Sequence, residues 1–93
     1  MSLSYETMVV YSLKNGEEAA KELAEKFKAA MEANGAVDSV DEWGKRRLAY
    51  PINDEEDGYY VLYNHQCEAD YPAELDRVFR ITDGVLRSLI IKK

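Results

Sequence analysis

Two hydrophobic periodicities alternate along this chain of 93 residues, and the order of their switches leaves few folds open. Tyr5, Met8, Val9, Val10, Tyr11 and Leu13 make a β-branched and aromatic run that the breaker Lys14-Asn15-Gly16 ends. Ala20, Leu23, Ala24, Phe27, Ala30 and Met31 then recur every three or four residues, which puts them on one face of a helix. Asn15 and Glu18 are spaced for a reciprocal N-terminal cap, and Asn34-Gly35 predicts the helix end, with Gly35 in the left-handed position. Ala36 to Val40 opens a second strand that resumes at Arg47 to Ile52, with a bulge or bend at Trp43-Gly44. The acidic run Asn53-Asp54-Glu55-Glu56-Asp57-Gly58 reads as a turn, and Tyr59-Tyr60-Val61-Leu62-Tyr63 as a third strand in a hairpin with the second. Asp70 is placed to cap a shorter helix through Leu75, Val78 and Phe79, with Pro72 in its first turn. Thr82-Asp83-Gly84 ends that helix, and Val85 to Ile91 is the last strand, closed by Lys92-Lys93.

Strand-helix-strand-strand-helix-strand is the split βαβ order of a ferredoxin-like α+β sandwich, a four-stranded antiparallel sheet with two helices on one face. The other face then lacks a helical cover. Simple alternation puts Leu86 and Ile90 opposite Val85, Leu89 and Ile91, so the last strand carries apolar groups on both sides. Such a face either meets a partner or reflects the scattered apolar residues that any surface carries.

The length suits one domain spanning residues 1–93, of which Met1-Ser2-Leu3 resembles a short expression leader. A lone cysteine, Cys67, forbids an internal disulfide and favours a reducing, cytoplasmic setting. No secretory signal pattern is present, nor any apolar run near the ~18 residues of a membrane span, so no membrane partner is expected.

Against a formal charge of −6, the segment Trp43-Gly44-Lys45-Arg46-Arg47-Leu48-Ala49-Tyr50-Pro51-Ile52 gathers three cations beside aromatic and apolar groups. The acidic balance argues against a protein that coats nucleic acid non-specifically, but a local cluster still binds phosphate. Lys45, Arg46 and Arg47 are therefore candidate nucleic-acid contacts, extended along the last strand by Arg87, Lys92 and Lys93. Neighbours in a strand point apart, so Arg46 and Arg47 are expected to serve different contacts. Trp43, Tyr50, Tyr60, Leu86 and Ile90 are candidates for a surface that receives a protein partner. Arg77 and Arg80 are explained by the end of the second helix.

Little in the sequence points to catalysis. The single histidine, His65, has Cys67 two residues away and no acid in a triad order. Two such ligands fall short of a structural zinc site, Asp54-Glu55-Glu56-Asp57 lacks the EF-hand spacing, and no glycine-rich phosphate loop appears. No cofactor, metal or small-molecule ligand is expected. Two rival readings share the fold: base stacking on Gly58-Tyr59-Tyr60-Val61-Leu62-Tyr63, which partly matches an RNA-recognition motif, and a homodimeric metabolite sensor.

The opening Tyr5-Glu6, Asn34-Gly35-Ala36, the run from Gly44 to Ile52, and Asp83-Gly84-Val85-Leu86-Arg87 together resemble the bacterial small-subunit ribosomal protein six family, in order and spacing, over nearly the whole chain. The resemblance implies a non-catalytic ribosomal protein of the cytoplasm that binds the central domain of 16S rRNA as a heterodimer with small-subunit ribosomal protein eighteen. A strongly basic partner would complement the acidic chain. Many members of that family carry a longer C-terminal tail than the end at Lys93.

Overall fold

The computed structural model describes residues 3–52 and 55–93. In chain order they form β1 (Leu3–Ser12), α1 (Glu17–Ala33), β2 (Gly35–Ile52), β3 (Glu55–Cys67), α2 (Tyr71–Ile81) and β4 (Val85–Lys92). The sheet runs β2-β3-β1-β4 with every neighbouring pair antiparallel. Two helices and this sheet make the ferredoxin-like α+β sandwich that the order of periodicities predicts.

Alternation sorts the two central strands. Tyr5, Thr7, Val9 and Tyr11 of β1 pair with His65, Tyr63, Val61 and Tyr59 of β3, and all eight are buried. Side chains directly opposite in an antiparallel pair share a face, so these build the floor on which the helices sit. From α1, Ala20, Ala24, Phe27 and Met31 descend onto that floor, and from α2, Leu75 and Phe79. The Phe27 and Phe79 rings meet with centroids 4.6 Å apart. Burial of each large side chain in this set contributes roughly 1.5–3 kcal/mol.

The two tyrosine hydroxyls at the centre of this core are matched. The Tyr63 hydroxyl donates to the Ala24 carbonyl of α1 at 3.0 Å, and the Tyr11 and Tyr63 oxygens lie 2.7 Å apart. Burial holds both phenols well above the ordinary tyrosine range.

Several local expectations resolve differently. Asn15 and Glu18 make no cap. Gly16 is the N-cap residue of α1 and no side chain bonds there, because the β1–α1 turn is held instead by Glu55, which accepts from the Ser12 hydroxyl (2.7 and 2.8 Å) and the Leu13 N–H (3.2 Å). Asp70 does hold the N-cap position of α2 but makes no side-chain cap bond; the approach to the helix is closed by the Tyr71 N–H donating to the Glu68 carbonyl. Gly35 is not left-handed, since Asn34 ends α1 and Gly35 already pairs with Cys67. Glycine is needed there for proximity: a Cβ would lie 1.9 Å from the Gln66 carbonyl oxygen. The expected acidic turn is shorter on its β3 side, because Glu55 to Gly58 belong to β3, while Asn53 and Asp54 lie outside the described residues, as do Met1 and Ser2.

The edge strands depart most from simple alternation. The β1–β4 ladder slips between Val10 and Tyr11: Val10 faces Arg87 but Tyr11 faces Val85, which leaves Leu86 as an extra residue. Val85 and Ile90 consequently pack toward the helices, while Arg87, Leu89 and Ile91 share the opposite face with Val10, Met8 and Glu6. In β2 the ladder with β3 slips between Val37 and Ser39, between Glu42 and Gly44, and between Arg47 and Ile52. The second slip is the bulge expected at Trp43-Gly44, and Gly44 takes φ 78, the left-handed region in which a side chain is strained.

Candidate nucleic-acid and partner interface

The sheet face that the helices leave open carries the even-numbered residues of β1 and β3, so its composition follows from the same alternation that built the core. Cross-strand rows can be traced along it. Gly44, Tyr60, Val10 and Arg87 form one row, with Arg46 beside it opposite Gly58. Asp41, Leu62, Met8 and Leu89 form the next, and Ser39, Asn64, Glu6 and Ile91 the one beyond. The face therefore grades from arginines, through an apolar strip, to a polar and acidic end.

At the arginine end the β2 bulge turns Trp43 onto this face, where its ring lies nearly parallel to Tyr60 (6° between planes, centroids 6.5 Å apart) and 45% exposed. Trp43, Tyr60, Arg46 and Arg47 line a shallow cleft of about 400 Å³. The expectation that Arg46 and Arg47 would serve opposite faces is thus modified: both border one cleft, beside the point where the β2–β3 ladder is interrupted. Beyond Arg47 the chain turns inward, burying Leu48, which lies with Val10 against Gly58. Tyr50 then comes within reach of β4, where Arg87 Nη1 donates to its hydroxyl at 3.4 Å. The exposed hydrophobic groups include Trp43, Tyr50, Leu89 and Ile91.

The other candidates scatter. Lys45 lies 3.9 Å from Asp57, an exposed ion pair worth little. Lys92 pairs with Tyr5, and the Lys93 N–H donates to the Ser4 carbonyl, at the far end of β4 from Arg87. Leu86 lines a groove against Arg80 and Asp76 of α2. Ile90 packs against the core because the Leu86 bulge shifts the alternation, so it is not on the open face. Leu89 and Ile91 take that place. A count of alternate residues misses them, since nothing in the residue types announces the bulge.

The residues considered for catalysis lie on the helix side. Thr7 Oγ1 and His65 Nε2 are 2.7 Å apart, the Tyr5 ring stacks on the imidazole, and His65 Nδ1 is buried with no hydrogen-bond partner among the described residues. Burial pushes the His65 pKa down and the Cys67 thiol up, which keeps the first neutral and the second protonated. The RNA-recognition-motif reading of 58–63 also loses its footing, because Tyr59 and Tyr63 are core residues and only Tyr60 of the three tyrosines faces outward from the open side.

The family model for ribosomal protein S6 matches residues 4–92. This chain belongs to the ribosomal protein S6 family. A small ribosomal subunit protein bS6 of Caldanaerobacter subterraneus is 54% identical over 90 residues, covering 96% of this chain and 95% of that protein. The bS6 of Clostridium novyi is 49% identical over 89 residues, covering 95% and 94%. Among solved structures, the 30S ribosomal protein S6 of Thermotoga maritima superposes with a TM-score of 0.91 at 26% identity, covering all of this chain and 89% of that one. Ribosomal protein S6 is a structural component of the small subunit and not an enzyme, so its place is the cytoplasmic ribosome.

Proposed function

We propose that this S6-family chain binds the central domain of 16S rRNA together with small-subunit ribosomal protein eighteen. The arginine end of the open face serves phosphate, and the apolar strip beside it serves the protein. The observation that carries this reading is that Arg46 and Arg47 on one edge strand and Arg87 on the other lie at the same end of the open face, next to a middle of Leu62, Met8 and Leu89. Guanidinium groups suit phosphate through paired donors, whereas an apolar strip rimmed by charge suits a protein interface. The formal charge of −6 opposes approach to RNA by the whole molecule, and a basic partner offsets it.

Lys92 and Lys93 belong to a separate contact in this scheme, five or more residues along β4 from Arg87, about 17 Å at the rise of a strand. The test is binding to a central-domain fragment of 16S rRNA, with and without ribosomal protein eighteen, across a range of salt. Tight, salt-sensitive binding is expected only with both proteins. Arg46→Ala with Arg47→Ala should weaken it and lower the salt slope by about 0.7–0.9 for each phosphate no longer neutralised. An unchanged slope in a folded double variant counts against this cluster as the contact.

A further inference from the structure

The exposed indole is the group that phosphate binding leaves unexplained. A large aromatic side chain 45% exposed at a bulge is costly to keep in water, and here the bulge itself is what turns it outward. Its neighbours are specific: the Tyr60 ring lies nearly parallel to the indole, with centroids 6.5 Å apart, and Arg46 and Arg47 complete the wall of the cleft. Flat apolar area beside two guanidinium groups matches the two halves of a nucleotide, a base with a π-face and a phosphate on either side. A paired base inside a duplex cannot reach such a surface, whereas an unpaired one can.

We infer that the Trp43–Tyr60 cleft is a stacking site for one unpaired base of the RNA, with Arg46 and Arg47 holding the flanking phosphates. This rests on the rRNA-binding reading and adds to it that the local RNA must be a loop, bulge or single strand at this point. The apolar middle of the sheet, Leu62, Met8 and Leu89, remains for the protein partner, because it lacks both exposed aromatic rings and cations.

Trp43 is the only tryptophan of the chain, so its emission reports on its own site. The full chain, alone and with ribosomal protein eighteen, is titrated with a hairpin RNA whose loop holds unpaired purines and with a blunt duplex of matched length. The signal is the difference between wild type and Trp43→Leu, and affinity is followed in parallel by gel shift at fixed salt. The expected result is saturable quenching by the hairpin and not by the duplex, with Trp43→Leu weakening hairpin binding roughly tenfold at unchanged salt slope and Trp43→Tyr recovering part of it. Equal affinity for both RNAs, unaltered by Trp43→Leu, overturns the stacking site and leaves the phosphate contacts standing. Quenching by ribosomal protein eighteen without RNA, lost together with that complex in Trp43→Leu, overturns it in favour of a protein contact. Failure to bind either RNA, with or without the partner protein, overturns this inference and the rRNA reading together.

Discussion

The buried hydroxyl chain between the sheet and α1 predicts an asymmetric response to removing its two oxygens. Tyr63 has one hydroxyl proton, and it is committed to the Ala24 carbonyl at 3.0 Å. The 2.7 Å contact with Tyr11 is therefore made by Tyr11 donating to the Tyr63 oxygen. Tyr11→Phe removes a donor whose acceptor keeps another partner, so it should cost about 1 kcal/mol, the net worth of one internal hydrogen bond. Tyr63→Phe removes two bonds and strands the Tyr11 hydroxyl, which has no exposure to water, for a total of about 3–4 kcal/mol. The double variant leaves no stranded hydroxyl, since the Ala24 carbonyl retains its place in the helix, and should cost about 2 kcal/mol. The two changes are thus coupled by roughly 2–3 kcal/mol, well outside the scatter expected of independent sites. Urea unfolding followed by circular dichroism measures all four corners of the cycle, and an unchanged m-value ensures that only stability has moved. Additive costs, or a larger cost for Tyr11→Phe than for Tyr63→Phe, would refute the assigned direction of the chain.

Other outcomes follow from the same geometry. Gly35→Ala drives a Cβ toward the Gln66 carbonyl and should cost about 1–3 kcal/mol, while Gly44→Ala meets no atom but must hold φ 78, at about 1–2 kcal/mol; thermal unfolding that leaves Gly35→Ala at the wild-type midpoint would contradict the first. His65, whose pKa is lowered by burial, with Asp38 opposing and Lys93 adding to the effect, should make stability fall as pH drops below about 6.5. The unfolded chain binds the proton there and the folded one resists it, so this contribution to the slope is bounded by about 1.4 kcal/mol per pH unit for one proton and should vanish in His65→Gln. The raised tyrosines act at the other extreme: Tyr11 and Tyr63 keep their protons when folded, so stability should fall as pH rises past about 10, less steeply in Tyr11→Phe. Leu89→Asp, on the open face, should change monomer stability by no more than about 0.5 kcal/mol yet abolish the complex with ribosomal protein eighteen; an intact complex would remove the apolar strip from that role.

Element order, the helix face of α1 and the β2 bulge are legible in the sequence because each rests on periodicity or a glycine that local physics makes decisive. Ala20, Ala24, Phe27 and Met31 are buried as their spacing requires. The basic run is legible too, since charge against an acidic background is visible without coordinates. What alternation cannot reach is the β4 bulge: an extra residue at Leu86 has no glycine or proline to mark it, and counting through it puts Ile90 on the open face and leaves Leu89 out of the site. The caps fail for a similar reason. Asn15 offers a suitable side chain, but Glu55, 42 residues from Leu13, claims the turn by a tertiary contact that no local pattern encodes. The folding of Tyr50 back toward Arg87 is likewise out of reach, because it depends on where the β2–β3 ladder breaks.

The graded open face also bears on how the molecule travels. Arg87 opposite Val10 and Glu6 opposite Ile91 lie four residues apart along one strand, about 13 Å, in a molecule whose longest dimension is 41 Å. Lys92 and Lys93 stand beside Glu6, and Asp57 stands opposite Arg47, so the grading belongs to the open face and not to the molecule as a whole. In the rRNA-binding reading proposed above, phosphates within a Debye length of that face favour its arginine end. Orientation then precedes contact. Neutralising the acidic end, as with Glu6→Gln, should speed capture while leaving the dissociation rate of the finished complex nearly untouched, so the separation of charge acts on the route to the ribosome and not on the strength of the seat.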